Sequence, residues 1–262
     1  MTQVTVGVSL KAYFGRQQAR DWFTAAAERV RDHDAVRAGT VDVFVIPTYL
    51  QIDDAVRAFA GTPVRIGAQD VSAHPAGAYT GEITASELAE SGATIAEVGH
   101  AERRRLYGET DTIVAAKTRQ ALTAGLTPLL CIGETEQQDP QDAAAAALAQ
   151  LQASLADAPA GAVIVAYEPV WAIGATAPAG HDHIRTVAVA LRAALDADPA
   201  RTGSRVIYGG AAGPGLLTTL GDAVDGLFLG RFAHDTDALV TVLDEAPARA
   251  ESSPPRQTRD DA

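Results

Sequence analysis

The chain has 262 residues, a net charge of −12 and a single cysteine, Cys131. That length holds one large domain or two small ones. The charge argues against a nucleic-acid or anionic-membrane partner, and one cysteine allows no intrachain disulfide and fits a reducing, cytoplasmic compartment. No signal peptide and no apolar run long enough to span a bilayer is apparent. Lysine occurs only at Lys11 and Lys117 among 21 cationic residues. A chain that otherwise uses arginine thus keeps a compact ammonium at two places.

In chain order, short β-branched runs alternate with longer Ala-rich segments of helical period. A strand is expected at 4–8, then a helix at 16–31 and strands at 42–46, 65–69 and 95–98. A helix at 111–124 precedes a strand at 129–132. A helix at 142–156, a strand at 163–167 and a helix at 182–197 follow. Strands at 206–208 and 226–229 and a helix at 236–245 complete the pattern. Eight strands, each followed by a helix or a short helical piece, predict an all-parallel sheet. The near-continuous apolar strands suit burial on both faces. Eight repeats in a chain of this length favour an α/β fold closed as a single (β/α)8 barrel, which commonly takes about 250 residues. The barrel domain is expected over residues 1–246. The polar, Pro-containing stretch 247–262 reads as a disordered tail.

A parallel barrel keeps its chemistry at the C-terminal ends of its strands. The run Val163-Ile164-Val165 leads through Ala166 and Tyr167 to Glu168, and Pro169 stops the strand because it has no N–H to donate. Pro169, Val170 and Trp171 form a stiff base, and Ala175 to Gly180 a small-residue tip, which is the composition of a lid. Lys11 follows the first strand, His100 the fourth, Gly209-Gly210 the seventh and Gly230-Arg231 the eighth. A carboxylate, an ammonium and an imidazole at one mouth suit proton transfer next to a carbonyl. Glycines after the last strands let backbone N–H groups approach a phosphate. Taken singly, Lys11 also reads as a surface lysine and His100 as a barrel-edge histidine. Cys131 reads as a packed core residue, and Arg103-Arg104-Arg105 as a salt-bridged turn. No Walker loop, Gly-x-Gly-x-x-Gly or His-Glu-x-x-His occurs, and neither a metal nor an organic cofactor is expected.

These motifs, in order, resemble the triosephosphate isomerase family from about Val4 to Leu243. The resemblance rests on Gly67-Ala68-Gln69, Gly77-Ala78-Tyr79-Thr80-Gly81-Glu82, Gly99-His100-Ala101-Glu102-Arg103-Arg104, Gly108-Glu109-Thr110, Cys131-Ile132-Gly133-Glu134, Tyr167 through Gly174, and Tyr208-Gly209-Gly210. It implies a TIM barrel in which Glu168 is the base, His100 a neutral electrophile, Lys11 the cation offsetting substrate charge, and Glu102 the acid beside it. It implies that Gly174, Gly210, Ala211, Gly230 and Arg231 surround the phosphate. Pro169, Val170 and Trp171 belong to the lid, and Tyr208 latches it. It further implies a cytoplasmic homodimer whose loop from Gly77 to Glu82 enters the partner subunit, with Glu82 resembling the acid paired with Arg103.

The resemblance makes interconversion of dihydroxyacetone phosphate and glyceraldehyde 3-phosphate, in glycolysis and gluconeogenesis, the default activity. Several positions depart from the family pattern. Ser9-Leu10-Lys11 stands where the family usually has Asn-Trp-Lys, His100-Ala101-Glu102 where it has His-Ser-Glu, and Gly209-Gly210-Ala211 where it has Gly-Gly-Ser. Gly230-Arg231 replaces Gly-Gly, and Ala175-Thr176 stands where Thr-Gly is usual. The proton-transfer groups are kept while polar contacts around them change. Family members acting on erythrulose phosphates carry a similar Gly-Arg, so a four-carbon ketose phosphate is the alternative substrate. A weakly active barrel that binds a phosphorylated metabolite is a further alternative.

Overall fold

The computed structural model describes residues 3–252. Its strands are β1 (Val4–Ser9), β2 (Val41–Ile46), β3 (Arg65–Ala68), β4 (Ile95–Val98), β5 (Thr127–Ile132), β6 (Ile164–Tyr167), β7 (Arg205–Tyr208) and β8 (Gly226–Leu229). Each pairs in parallel with the next, and β8 closes onto β1 through the register Thr5 to Gly226. Parallel neighbours need a crossover, and helices supply it. They are α1 (Arg16–Arg31), α2 (Asp34–Arg37), α3 (Ile52–Ala58), α4 (Ala85–Glu90), α5 (Ala101–Tyr107), α6 (Asp111–Thr123), α7 (Pro140–Ser154), α8 (His181–Asp196), α9 (Leu216–Leu220) and α10 (Thr236–Ser252). The (β/α)8 barrel expected from the sequence is the fold.

Local sequence explains the elements. In α1, Ala19, Trp22, Phe23, Ala26, Ala27 and Val30 are buried, a stripe of helical period facing the sheet. The Thr110 side chain accepts from the Ile113 N–H and starts α6, while Asp139 caps α7 with Pro140 in its first turn. Inside the barrel, alternate strand positions meet: Phe44 and Ile46, Leu129 and Cys131, Ile164 and Ala166, with Ile95, Ile207 and Phe228. Cys131 is thus a packed interior residue, as read. Full burial of each large aliphatic or aromatic side chain contributes roughly 1.5–3 kcal/mol. The filled interior gives the strand ends a rigid platform.

The expected helix at 236–245 is longer in the structure, because α10 continues to Ser252 past the expected domain end at 246. Pro247 costs that helix one N–H donor, but Ala248, Arg249, Ala250 and Glu251 after it are good helix formers. The remaining tail, 253–262, lies outside the described residues. Among the described residues, no helix is long and apolar enough to cross a membrane.

Candidate active site

The C-terminal ends of the strands open into a cavity of about 510 Å³. Ser9, Lys11, Glu102, Glu168, Gly174, Gly210, Ala211, Gly230 and Arg231 all line it. At one end lie the titratable groups. Lys11, just past β1, has a left-handed backbone with φ 45°, unusual for a side chain with a Cβ. Gln69 holds that turn, donating from Nε2 to the Lys11 carbonyl at 2.7 Å. The Lys11 ammonium donates to Glu102 Oε1 at 2.9 Å. Burial pulls the Lys11 pKa down, but the hydrogen bond and charge of Glu102 more than reverse this and raise it. Burial likewise pushes Glu102 up, and the hydrogen bond and charge of Lys11 bring it below its ordinary value.

His100 caps α5 with its side chain. Its Nδ1 accepts from the Glu102 backbone N–H at 3.1 Å. A nitrogen that accepts carries no proton, so the neutral ring carries its proton on Nε2, an assignment made from the hydrogen-bond pattern. That Nε2 lies 3.8 Å from Glu168 Oε2. Both atoms are buried without a hydrogen-bond partner. His100 and Glu168 are 4% and 5% exposed, so these unsatisfied atoms call for an occupant of the cavity. Burial raises the Glu168 pKa, with the charges of His100 and Lys11 opposing it. Gly209 makes room for this carboxylate: a Cβ there would stand 2.7 Å from Glu168 Oε1.

Glu97 at the end of β4 carried no role in the sequence reading, yet it floors this end. It is 3% exposed and accepts from Ser9 Oγ at 3.4 Å and Cys131 Sγ at 3.8 Å. Burial pushes its pKa up to about 7, against the opposing pull of His100. Its place at the end of a barrel strand was the available signal.

The start of the loop after β6 is fixed by Glu134, a residue quoted only within a motif. The Glu134 carboxylate accepts from the Tyr167 hydroxyl, from Trp171 Nε1 at 2.9 Å and from His183 Nε2 at 2.9 Å. The Val170 N–H donates to the Glu134 carbonyl. Further along the loop after β6, the Ala179 N–H donates to the Tyr208 hydroxyl at 3.0 Å. Val170–Ala172 forms one 3-10 turn directly after Pro169.

The loop from Gly77 to Glu82 is exposed and stands away from the cavity, with Tyr79 stacked on His74 at 4.1 Å. Arg103 ion-pairs with Asp70 at 2.7 Å and Glu109 at 2.5 Å of its own chain. Glu82 makes no ion pair among the described residues, so the Glu82–Arg103 pairing implied by the resemblance is absent within the chain. Lys117, the second lysine, is buried between Asp70 and Glu109 at 2.6 Å from each, and its role is in this ion cluster. Among the described residues, no cluster of three or more His, Cys, Asp or Glu is arranged to hold a metal ion.

The arrangement joins a buried carboxylate, an Nε2–H donor and an ammonium around one space, with small residues and Arg231 at its other end. Known proteins resemble the chain as a whole. A family model described as triosephosphate isomerase matches residues 4–246. The L-erythrulose-1-phosphate isomerase of Pectobacterium atrosepticum is 46% identical, over 93% of this chain and 96% of that protein. The triosephosphate isomerase of Thermus thermophilus is 36% identical, over 93% of this chain and 98% of that protein. The crystal structure of triosephosphate isomerase from Bartonella henselae superposes with a TM-score of 0.80 at 27% identity, covering 94% of this chain and 99% of that one. With the match running through every strand and these relatives sugar-phosphate isomerases by name, the chain is an isomerase that belongs to the triosephosphate isomerase family.

Proposed function

We propose that this chain moves the carbonyl of a four-carbon ketose phosphate, L-erythrulose 1-phosphate, to the neighbouring carbon. The observation that carries the reading is the 46% identity over nearly full length to a protein named for that substrate; the Thermus triosephosphate isomerase reaches 36%, and that of Deinococcus radiodurans 43% over 75% of this chain. The triose default drawn from the resemblance therefore becomes the second reading, which that Thermus relative supports.

Chemistry supports the choice. Dihydroxyacetone phosphate and L-erythrulose 1-phosphate share a phosphate-bearing carbon and an adjacent carbonyl. They differ at the carbon that gives up its proton, where the tetrulose carries a hydroxymethyl group in place of a hydrogen. The added group therefore lies at the Glu168 end of the cavity, away from the phosphate. Ser9 lines that end. The asparagine usual in the family has two more heavy atoms than serine, and the hydroxymethyl group adds two.

In the reaction, the Glu168 carboxylate takes the proton from C3. The electron pair passes into the C2–C3 bond, and charge builds on the C2 oxygen. His100 Nε2–H donates to that oxygen and the Lys11 ammonium stabilises it; one preorganised donor of this kind contributes roughly 3–4 kcal/mol. His100 relays a proton from the C3 hydroxyl to the C2 oxygen. Protonated Glu168 then returns its proton to C2, leaving the carbonyl at C3 and the carboxylate restored. Gly174, Gly210, Ala211, Gly230 and Arg231 hold the phosphate. The lid on Pro169, Val170 and Trp171, latched by Tyr208, shuts water away from an enediolate that would otherwise expel phosphate. A homodimer through loop 77–82, in a reducing compartment, completes the reading.

The test is proton NMR of L-erythrulose 1-phosphate with the enzyme in D2O. Deuterium at C3, with growth of the tetrulose phosphate whose carbonyl has moved to C3, is expected. Unchanged spectra beside rapid turnover of dihydroxyacetone phosphate would return the triose reading to first place.

A further inference from the structure

The barrel has a second mouth, at the N-terminal ends of its strands, and polar side chains fill it. Phe44, Leu129 and Ile207 belong to the apolar interior. Side chains alternate along a strand, so Asp42, Thr127 and Arg205, each two residues earlier, point into the barrel below them. Arg65 joins this layer: it pairs in register with Phe44, and its guanidinium lies 5.9 Å from the centre of that ring. A pocket of about 310 Å³ opens here, and Gln3, Asp42, Arg65, Thr127, Gly203 and Arg205 are among the residues that line it.

Charge in this pocket does not balance. Arg65 Nε donates to Asp42 Oδ1 at 3.0 Å and its Nη2 to Asp42 Oδ2, so one guanidinium is taken by the one carboxylate. Arg205 is half-buried, has no carboxylate partner among the described residues, and reaches only the Ser204 carbonyl at 3.5 Å. Asp225 accepts from the Val206 N–H, adjacent to Arg205 in the chain, and pairs with Arg192 instead. Thr5, level with Asp42 in register, is 1% exposed, and its hydroxyl has no hydrogen-bond partner among the described residues. A barrel end sealed for stability alone would be apolar or charge-matched, because a half-buried guanidinium without an acceptor loses solvation and gains nothing. A guanidinium has five donors and no acceptor, and an oxyanion satisfies them in paired fashion.

We propose that the N-terminal mouth of the barrel is a second anion site, which takes a phosphate-sized oxyanion between Arg205 and the Asp42-anchored Arg65, with the Thr127 hydroxyl as a further donor. It lies at the opposite end of the barrel from the reacting groups, so its occupancy leaves the chemistry untouched. Arg65 starts β3 and Arg205 starts β7, which are not neighbours in the sheet. An anion held by both ties two sides of the barrel together, and a ligand that binds only the folded chain adds stability by mass action. The site is independent of which ketose phosphate the enzyme turns over.

The test is equilibrium dialysis of labelled inorganic phosphate against the full chain, with the parent beside Arg205→Gln and Arg205→Lys. The parent should hold a phosphate beyond any that inhibits turnover. In Arg205→Gln the affinity for that phosphate should fall about tenfold or more, the loss expected for a hydrogen bond to a charged group, and Arg205→Lys should lie between. The inhibition constant of phosphate against turnover, which reads the C-terminal mouth alone, should be the same in all three. Phosphate should raise the melting temperature of the parent more than that of Arg205→Gln. Excess glycerol 3-phosphate separates the sources of the anion: release of all labelled phosphate makes this a site for phosphate esters, and retention of the non-inhibitory one makes it a site for free phosphate. A parent with no phosphate beyond the inhibitory one, an Arg205→Gln variant that binds as the parent does, or a phosphate inhibition constant that rises with the loss of Arg205 would overturn the proposal.

Discussion

The two ends of the cavity are built differently. The end holding Glu168, His100 and Glu97 is buried, and Lys11 is tied to its rim through Glu102 and Gln69. The other end, at Gly174, Gly210, Ala211, Gly230 and Arg231, is half-buried to exposed and consists of small residues around one guanidinium. Buried groups that fix each other's geometry change together or not at all, because an unpartnered one costs about 1–3 kcal/mol. An exposed arginine or alanine changes alone at little cost. In the proposed reading, the buried end does the carbonyl chemistry and meets the carbon at which the two candidate ketoses differ, while the open end holds the phosphate they share. Ser9 lies at the buried end: it donates to Glu97, lines the cavity and, in the proposed reading, borders the substrate's extra carbon.

The largest effect should come from the buried end. Glu168→Gln is nearly isosteric and should keep the melting temperature within a few degrees. Turnover should drop by roughly three orders of magnitude or more, because general-base catalysis alone is commonly worth 10²–10⁴-fold. A variant keeping most of its rate would remove Glu168 from the reaction. In the parent, burial raises the Glu168 pKa, so the acid limb of kcat/KM should lie above the ordinary carboxylate range.

Lys11→Met comes next. It removes the ammonium beside the developing oxyanion and should lower kcat/KM by about 10²-fold. Its partner Glu102 is 44% exposed, so stability should barely change on thermal melting. Loss of stability with catalysis retained would make Lys11 a structural residue only.

Tyr208→Phe probes the lid. Ala179 loses the acceptor for its N–H, and about tenfold of kcat should go with it, equivalent to ~1.4 kcal/mol. Released inorganic phosphate should appear in the reaction mixture as the enediolate leaks. A tight variant with no leak would show that the lid holds without this bond.

The last effect is on stability, not turnover, and depends on pH. Glu97 has a pKa of about 7 in the folded chain, against 4.5 as its ordinary value. The folded state therefore holds this proton more tightly than the unfolded state. Its benefit is complete below the ordinary value and is lost as pH rises through the folded one. Glu97→Gln should consequently gain stability relative to the parent at pH 8, on the order of 2–3 kcal/mol, and little at pH 4. Denaturant titrations at the two values check this. An equal shift at both would mean that Glu97 is ionised throughout.

Much of this was legible in the sequence because strand-end chemistry is written in local runs. The segment around Glu168 declares a strand, a stop and a lid within nine residues, and α1 matched its expected span at both ends. The short helices α3, α4, α5 and α9 are five to seven residues long, less than an amphipathic pattern needs, so periodicity named none of them. Glu97 and Glu134 had no visible role because each acts through residues far along the chain: Ser9 and Cys131 for one, Trp171 and His183 for the other. Pairings at such separations exist only once the barrel closes. The turn that carries Arg231 was open for the same reason, since Trp22 holds it through the Ala233 carbonyl and Gly213 makes room for Phe232.

The most direct test of the substrate assignment is kcat/KM for L-erythrulose 1-phosphate beside dihydroxyacetone phosphate, in the parent and in Ser9→Asn. The parent should prefer the tetrulose by tenfold or more, and Ser9→Asn should erode that preference by refilling the space beside Glu97. A parent that turns over dihydroxyacetone phosphate as well as or better than the tetrulose would contradict the assignment.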